Sequence, residues 1–169
     1  MADLREIAGV ELTWSRAGYL PAAYAIHWNG TEIGTLAWER FFTSHAIARA
    51  DGTAWRIRRH GFRQLLVEDA ASGDAVASVR LHLFGSGELD FADGRHLALK
   101  RTSLLPRGIA FQDQLGSDLV SIHGHLASIF RGGYCRIEPA GAELPEAALV
   151  ALLGVYILIR RARRRAHNA

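Results

Sequence analysis

Polar and apolar residues alternate in short stretches along most of the chain, and each stretch ends at a turn signal. Between residues 75 and 83, for example, Val79, Leu81 and Leu83 alternate with polar or charged neighbours. Successive side chains of a β-strand point to opposite faces, so this alternation predicts strands with one apolar face. About a dozen strands are predicted on this pattern, at residues 11–15, 24–28, 31–39, 44–50, 53–60, 63–69, 75–83, 88–91, 95–101, 109–113, 118–123 and 132–138.

The turns between these stretches predict a succession of hairpins. Asn29-Gly30 and Asp51-Gly52 favour two-residue turns whose twist matches that of paired antiparallel strands. No long linker, low-complexity block or stronger repeat interrupts the 169 residues, a length typical of one domain. We therefore predict a mainly β protein with a single domain over residues 1–169.

The C-terminal part of the chain breaks the alternation. Residues 147–159 carry no charge and are apolar on every side of a helical wheel, and they lie between Pro145 and an arginine run that starts at Arg160. Proline is favoured in the first helical turn, and arginines near the last turn complement the helix dipole. The pattern predicts a helix over about residues 145–160 and an arginine-rich tail at 160–169. A helix that is apolar all round needs a membrane or an enclosing protein sleeve.

Length and charge favour the sleeve. The predicted helix measures about 22 Å to residue 159, whereas a bilayer core of about 30 Å requires roughly 20 apolar residues. Strands of about six or seven residues stand about 20 to 23 Å tall, which matches the helix. A terminal span would also carry five arginines across the membrane, against the positive-inside tendency. Because about eleven or twelve strands leave room for a central helix, we predict a closed antiparallel β-barrel of about twelve strands, threaded by a hydrophobic C-terminal α-helix.

This order of elements resembles the tubby C-terminal-like superfamily, which includes tubby proteins, phospholipid scramblases, LURP-one-related proteins and small bacterial members. The resemblance implies a twelve-stranded barrel around a C-terminal helix. Some members bind phosphoinositides or other membrane lipids through basic surface residues, and that function transfers here only by analogy. The features that carry the resemblance are the strand rhythm, the Trp55-Arg56-Ile57-Arg58-Arg59 strand, the Asp93-Gly94-Arg95 turn, and Glu138-Pro139 followed by Leu144-Pro145-Glu146 and the apolar helix.

Catalytic and metal-binding signals are weak. The sequence contains no nucleophile elbow, zinc-protease helix, phosphate loop or Cys-x-x-Cys pair. The glycine-rich segment 85–87 leads into a predicted strand rather than a helix, so we interpret it as a turn. His123 and His125 are expected on one strand face without an identifiable third ligand, and Ser44-His45 has no evident orienting acid. We therefore expect no enzyme, no cofactor and no metal.

Two groups of arginines are candidates for binding an anionic headgroup. Alternation places Trp55 and Ile57 inward, so Arg56 and Arg58 are expected to point outward with free guanidinium groups. Nucleic acid is not expected as a ligand, because exposed aromatic residues are not interleaved with the arginines. Each group also has a purely structural interpretation. The arginines of the hairpin can form an ordinary solvated face of the barrel, and those of the C-terminal run can complement the helix dipole. The candidate residues are Arg56, Arg58, Arg59 and Arg63 in the first group, and Arg160, Arg161, Arg163 and Arg164 in the second.

The remaining features indicate where the protein works. Cys135 is the only cysteine, so no intrachain disulfide can form. The first residues lack the apolar region of a secretory signal, so we expect a cytoplasmic protein, and a peripheral position at the membrane is left open. We expect a non-enzymatic binding or scaffolding module whose partner is an anionic phospholipid surface or another protein. The alternatives are a membrane-associated protein whose apolar helix inserts into the bilayer, and an enzyme at the barrel mouth.

Overall fold

The computed structural model describes residues 3–40, 43–102, 107–126 and 128–169. The described elements are strands followed by one long helix, as the alternation predicts. The strands are β1 (Glu11–Tyr19), β2 (Ala22–Trp28), β3 (Thr31–Trp38), β4 (Ala46–Ala50), β5 (Thr53–Arg59), β6 (Gln64–Asp69), β7 (Ala75–Leu81), β8 (Gly87–Phe91), β9 (His96–Arg101), β10 (Gly108–Gln112), β11 (Asp118–Gly124) and β12 (Gly132–Ile137). The helices are α1 (Pro139–Ala142) and α2 (Ala147–His167), and a 3-10 turn (Ile129–Arg131) precedes β12.

The twelve strands form one closed antiparallel barrel. Each strand pairs with the next along the chain, and β1 closes the ring by pairing with β12. Asn29 and Asp51 have positive φ angles and are each followed by a positive-φ glycine, as the predicted two-residue hairpin turns require. Inward residues alternate with outward ones, so that Trp55 and Ile57 are buried on β5. The predicted fold class is therefore confirmed.

Helix α2 fills the interior of the barrel. Every residue from Ala147 to Ile159 is buried, although these residues cover all sides of the helix. Burial of one large aliphatic side chain contributes about 1.5–3 kcal/mol, so the helix supplies a large part of the core. The strands provide the predicted sleeve. Within the described ranges, no helix combines the length and the apolar character that a bilayer crossing requires.

Two boundaries differ from the prediction. The helix starts at Ala147 rather than near 145 and continues to His167, so the predicted tail is mostly helical. Arginine and alanine are strong helix formers, and no glycine or proline interrupts residues 160–167. Strand β7 ends at Leu81, not at 83, and Leu83 is 71% exposed. The chain turns there because the His82 amide donates to the Ser86 carbonyl and Gly85 adopts φ 90°.

Antiparallel pairing places successive turns at alternate ends of the barrel. We call the end from which residues 160–167 of α2 emerge the mouth, and the opposite end, where α2 begins, the base. At the mouth, the Arg161 guanidinium donates to the carbonyl of Gly85 in the β7–β8 turn. At the base, Arg95 in the β8–β9 turn donates two hydrogen bonds to the carboxylate of Glu146, the residue before α2.

Candidate functional site

The two ends of the barrel carry opposite charge. Among the described residues of the turns between strands at the mouth, the only carboxylate is that of Glu39. Arginines accumulate at the mouth because α2 delivers its arginine run there. The turns of the base, and the segment that leads into α2, carry seven carboxylates: Asp51, Asp74, Asp93, Asp113, Glu138, Glu143 and Glu146. The mouth is therefore the surface of positive potential.

Large apolar side chains project from the tips of the mouth turns. Phe84 in the β7–β8 turn is 83% exposed, and the adjacent Leu83 is almost as accessible. Such side chains are costly to leave in water, and their clustering on one surface is typical of an interaction site. At the base, by contrast, the exposed large apolar side chains among the described residues are those of Leu115, which is 91% accessible, and Val10, which is 41% accessible. Among the described residues, the large apolar side chains exposed at the mouth are those of Tyr19, Leu20, Phe62, Leu83, Phe84 and Leu126.

The arginines of α2 are partly buried where the helix leaves the barrel. Burial, followed by the charges of Arg101, Arg165 and Arg160, lowers the pKa of Arg161 to about 10. Burial is also the main cause that lowers the pKa of Arg160 and of Arg163. Among the described residues, none of the α2 arginines forms an ion pair with a carboxylate. The mouth thus holds several guanidinium groups whose positive charge is not neutralised by the protein.

Two clefts flank α2 at the mouth. The first, of about 370 Å³, lies between the 82–86 turn and residues 160–165 of the helix. The second, of about 630 Å³, lies beside Trp38 and Tyr156, whose rings stack with centroids 5.5 Å apart. The guanidinium of Arg163 lies 4.3 Å from the Trp38 ring centroid, and the Tyr156 hydroxyl donates to the Ser44 carbonyl. These contacts fix the wall of the second cleft, while the first is lined more strongly by arginine.

The structure brings most of the predicted arginines together. The second cleft is lined by Arg59, Arg160, Arg163 and Arg164. Residues Arg63 and Arg161 line the first cleft, which Arg160 and Arg164 also border. Residues from one hairpin and from the end of the chain therefore share one surface, which their separation in sequence does not reveal.

Arg56 and Arg58 do not belong to this cluster, and the expectation that their guanidinium groups are free is wrong. They lie on the outer wall of the barrel, where neighbouring strands bring carboxylates close. Arg58 donates two hydrogen bonds, of 3.2 and 3.0 Å, to the carboxylate of Glu68 on β6. These bonds lower the pKa of Glu68 and raise that of Arg58. The Nε atom of Arg56 lies 3.7 Å from the Oε1 atom of Glu39, so the two side chains form an ion pair.

Sequence reasoning missed several residues of the mouth. Arg101, at the end of β9, lines the first cleft, and Arg16, on β1, lines the second. The exposed Leu83 and Phe84 were also missed because Leu83 continues the alternation of β7. Two adjacent apolar residues immediately before Gly85 break the period of two and are the signal that could have indicated an exposed turn.

The residues that gave weak metal-binding and catalytic signals in the sequence have other neighbours in the structure. His123 is the penultimate residue of β11, whereas His125 lies beyond the strand and packs against the ring of Tyr134. His45 lies 3.7 Å from Glu39, but no hydrogen bond joins its ring to the Ser44 hydroxyl in the described part of the chain. Across residues 3–40, 43–102, 107–126 and 128–169, no group of three or more His, Cys, Asp or Glu side chains is placed to hold a metal ion.

The mouth therefore combines a cluster of unneutralised guanidinium groups, two clefts and a rim of exposed apolar side chains on one end of a rigid barrel. The predicted resemblance to the tubby C-terminal-like superfamily was carried by short features and not by a long motif. Comparison with known proteins finds no matching family model, no similar curated protein and no similar solved structure.

Proposed function

We propose that the protein is a non-enzymatic module that docks end-on, through the mouth of its barrel, on an anionic phospholipid surface. The observation that carries this proposal is the coincidence of two features on one end of the molecule. Arginines without carboxylate partners surround the emerging helix, and apolar turn tips project around them. An anionic membrane offers matching chemistry, with phosphates at its surface and hydrocarbon immediately beneath.

Both parts of the mouth contribute to such docking. A basic residue near an anionic membrane surface contributes about 1 kcal/mol, and this attraction declines within a Debye length as salt is added. An apolar side chain that enters the interface contributes roughly 25 cal/mol per Å² of area removed from water. The arginines thus supply attraction from a distance, and the tips of the 82–86 and 60–63 turns supply insertion. Neither contribution needs a chemical reaction at the mouth.

The fold supports a second element of the proposal, membership of the tubby C-terminal-like superfamily. A closed barrel of twelve antiparallel strands around a buried C-terminal helix is the architecture which that resemblance implies. We place the protein in the cytoplasm and at the inner, anionic face of a membrane. Should the mouth not bind lipid, a protein partner with an acidic surface is the alternative ligand.

Sedimentation with liposomes tests the proposal. Wild-type protein is mixed with vesicles of phosphatidylcholine alone, or with vesicles that also contain phosphatidylglycerol, at low and high salt. We expect pelleting only with the anionic vesicles, and weaker pelleting at high salt because the counterions screen the arginines. Equal pelleting with neutral and anionic vesicles, or no pelleting at low salt, would refute the proposal.

Matched variants locate the docking surface. Leu83→Asp places a carboxylate at the mouth and should greatly reduce pelleting, whereas Leu115→Asp makes the same exchange at the base and should not. The double variant Arg56→Ala, Arg58→Ala removes two charges already matched by Glu39 and Glu68, so it should retain binding. Loss of binding in the base variant would instead indicate that the barrel does not dock by its mouth.

A further inference from the structure

The first cleft of the mouth is a compact site surrounded by guanidinium groups. Its volume is about 370 Å³, and its walls are the 82–86 turn, the end of β9 and the emerging part of α2. None of the described residues that line it carries a carboxylate. Six arginines of the described part of the chain line this cleft: Arg63, Arg101, Arg160, Arg161, Arg164 and Arg165.

The 82–86 turn fixes two of these arginines in place. Arg161 donates from Nη2 to the Gly85 carbonyl at 2.8 Å, and Arg101 donates from Nη1 to the Phe84 carbonyl at 3.4 Å. Glycine suits this position because its φ of 90° is one that other residues rarely adopt, and a Cβ here would lie 2.5 Å from Cδ of Arg101 and displace that side chain. Consecutive carbonyls of one turn therefore hold two guanidinium groups side by side at the wall of the cleft.

Arg161 keeps hydrogen-bonding capacity for a ligand. A guanidinium group has five N–H donors. In Arg161, only Nη2 donates to the Gly85 carbonyl. Among the described residues, no buried side-chain nitrogen or oxygen lacks a hydrogen-bond partner, so the unused donors of Arg161 reach solvent. The lowered pKa of Arg161 reflects burial and repulsion by Arg101 and Arg165. An anion in the cleft would relieve this repulsion. The partial negative charge of the helix C-terminus does not, because it is confined to the last turn, beyond Arg161.

We propose that this cleft binds a phosphomonoester group, held by the guanidinium groups of Arg101 and Arg161. This inference rests on the proposed membrane docking and specifies which headgroup the mouth selects. A carboxylate has two oxygens in one plane and satisfies one guanidinium fork, whereas a phosphomonoester has three acceptor oxygens and close to two negative charges. It therefore accepts hydrogen bonds from several guanidinium groups at once. A phosphodiester headgroup has fewer free oxygens and a single charge.

Vesicles of matched surface charge test the selection. Wild-type protein is titrated with phosphatidylcholine vesicles that contain either phosphatidic acid, a phosphomonoester, or phosphatidylglycerol, a phosphodiester, adjusted to the same electrophoretic mobility. We expect about tenfold tighter binding to the phosphatidic acid vesicles, the effect of one charge-assisted hydrogen bond. Arg101→Gln should lose this preference, while its binding to phosphatidylglycerol vesicles falls only about fivefold, as the loss of one arginine charge near the membrane predicts. Arg161→Gln is a second variant with the same expected result, and Arg49→Gln removes an exposed charge of the outer wall and should keep the preference.

Inorganic phosphate in solution distinguishes binding of free phosphate from binding of a lipid headgroup. Inorganic phosphate is added to wild type and to Arg101→Gln, at an ionic strength matched with chloride, and the melting temperature is measured. A rise in the wild type alone supports a phosphate site independently of membranes. Equal binding to both charge-matched vesicles, without a phosphate effect on melting, overturns the phosphomonoester site but leaves membrane docking intact. Absence of binding to both kinds of vesicle overturns membrane docking. The effect of phosphate on the melting temperature then tests the phosphate site by itself.

Discussion

A glycine of α2 that packs against the barrel wall gives a sharp test of the threaded fold. Gly154 lies in the middle of the helix and faces Ile122 on β11 and Phe111 on β10. A Cβ at Gly154 would lie 2.8 Å from Cγ1 of Ile122, closer than packed carbon atoms come, and nearer still to its Cδ1. In an exposed helix, Gly→Ala stabilises by about 0.8–1 kcal/mol. At Gly154, by contrast, the added methyl group would overlap the side chain of Ile122 in the barrel wall.

The expected magnitude follows from two opposing contributions. Overpacking a core costs about 1–3 kcal/mol, so Gly154→Ala should destabilise by about 0–2 kcal/mol after the gain in helix propensity. Ile122→Val removes one methylene group and alone should cost about 0.5–1.5 kcal/mol. In the double variant the shorter side chain makes room for the new methyl group. We therefore expect the double variant to lose at least about 1 kcal/mol less than the sum of the single variants.

Urea unfolding followed by tryptophan fluorescence measures these free energies, because Trp14 and Trp38 are buried and report on the core. A matched control combines Gly154→Ala with Ile57→Val on β5, which lies on the opposite side of the twelve-strand ring from β11. These two changes should be additive within about 0.5 kcal/mol. Stabilisation by Gly154→Ala alone, or additivity with Ile122→Val, would show that the helix does not lie against β11 as described.

Two further predictions concern the buried core. Leu153→Asp places an unpaired charge among buried residues and should abolish soluble, folded protein. Arg164→Ala changes the exposed end of the helix and should leave the protein folded. Solubility and circular dichroism check both variants. Burial raises the pKa of Cys135 from 9.0 to about 12, so its thiol ionises more readily in the unfolded state. The stability should therefore fall between about pH 9 and 12, by up to about 1.4 kcal/mol per pH unit from this group. Cys135→Ala should show a shallower decline in urea unfolding; an unchanged slope would contradict the burial of the thiol.

The sequence also predicted part of the mouth. The arginine run after an apolar helix was evident, and so was the group around the β5–β6 hairpin that includes Arg59 and Arg63. The ion pair between Arg58 and Glu68 was not evident from the sequence. Glu68 lies ten residues away and reaches Arg58 only through the register of β5 and β6. Alternation distinguishes inward from outward residues, but it does not reveal which outward charges meet a partner on the next strand.

What the sequence by itself determined is the local structure. A period of two fixes strands, Asn-Gly and Asp-Gly fix tight turns, and an uncharged run that is apolar all round fixes a helix which must be enclosed. Only the tertiary structure decided which turns share an end of the barrel. The pairing of β7, β8 and β9 and the passage of α2 through the barrel bring Phe84, Arg101 and Arg161 to one mouth, although they are separated in the chain. The charge that surrounds a cleft depends on distances between strands and helix, and these are set by how the barrel closes around α2.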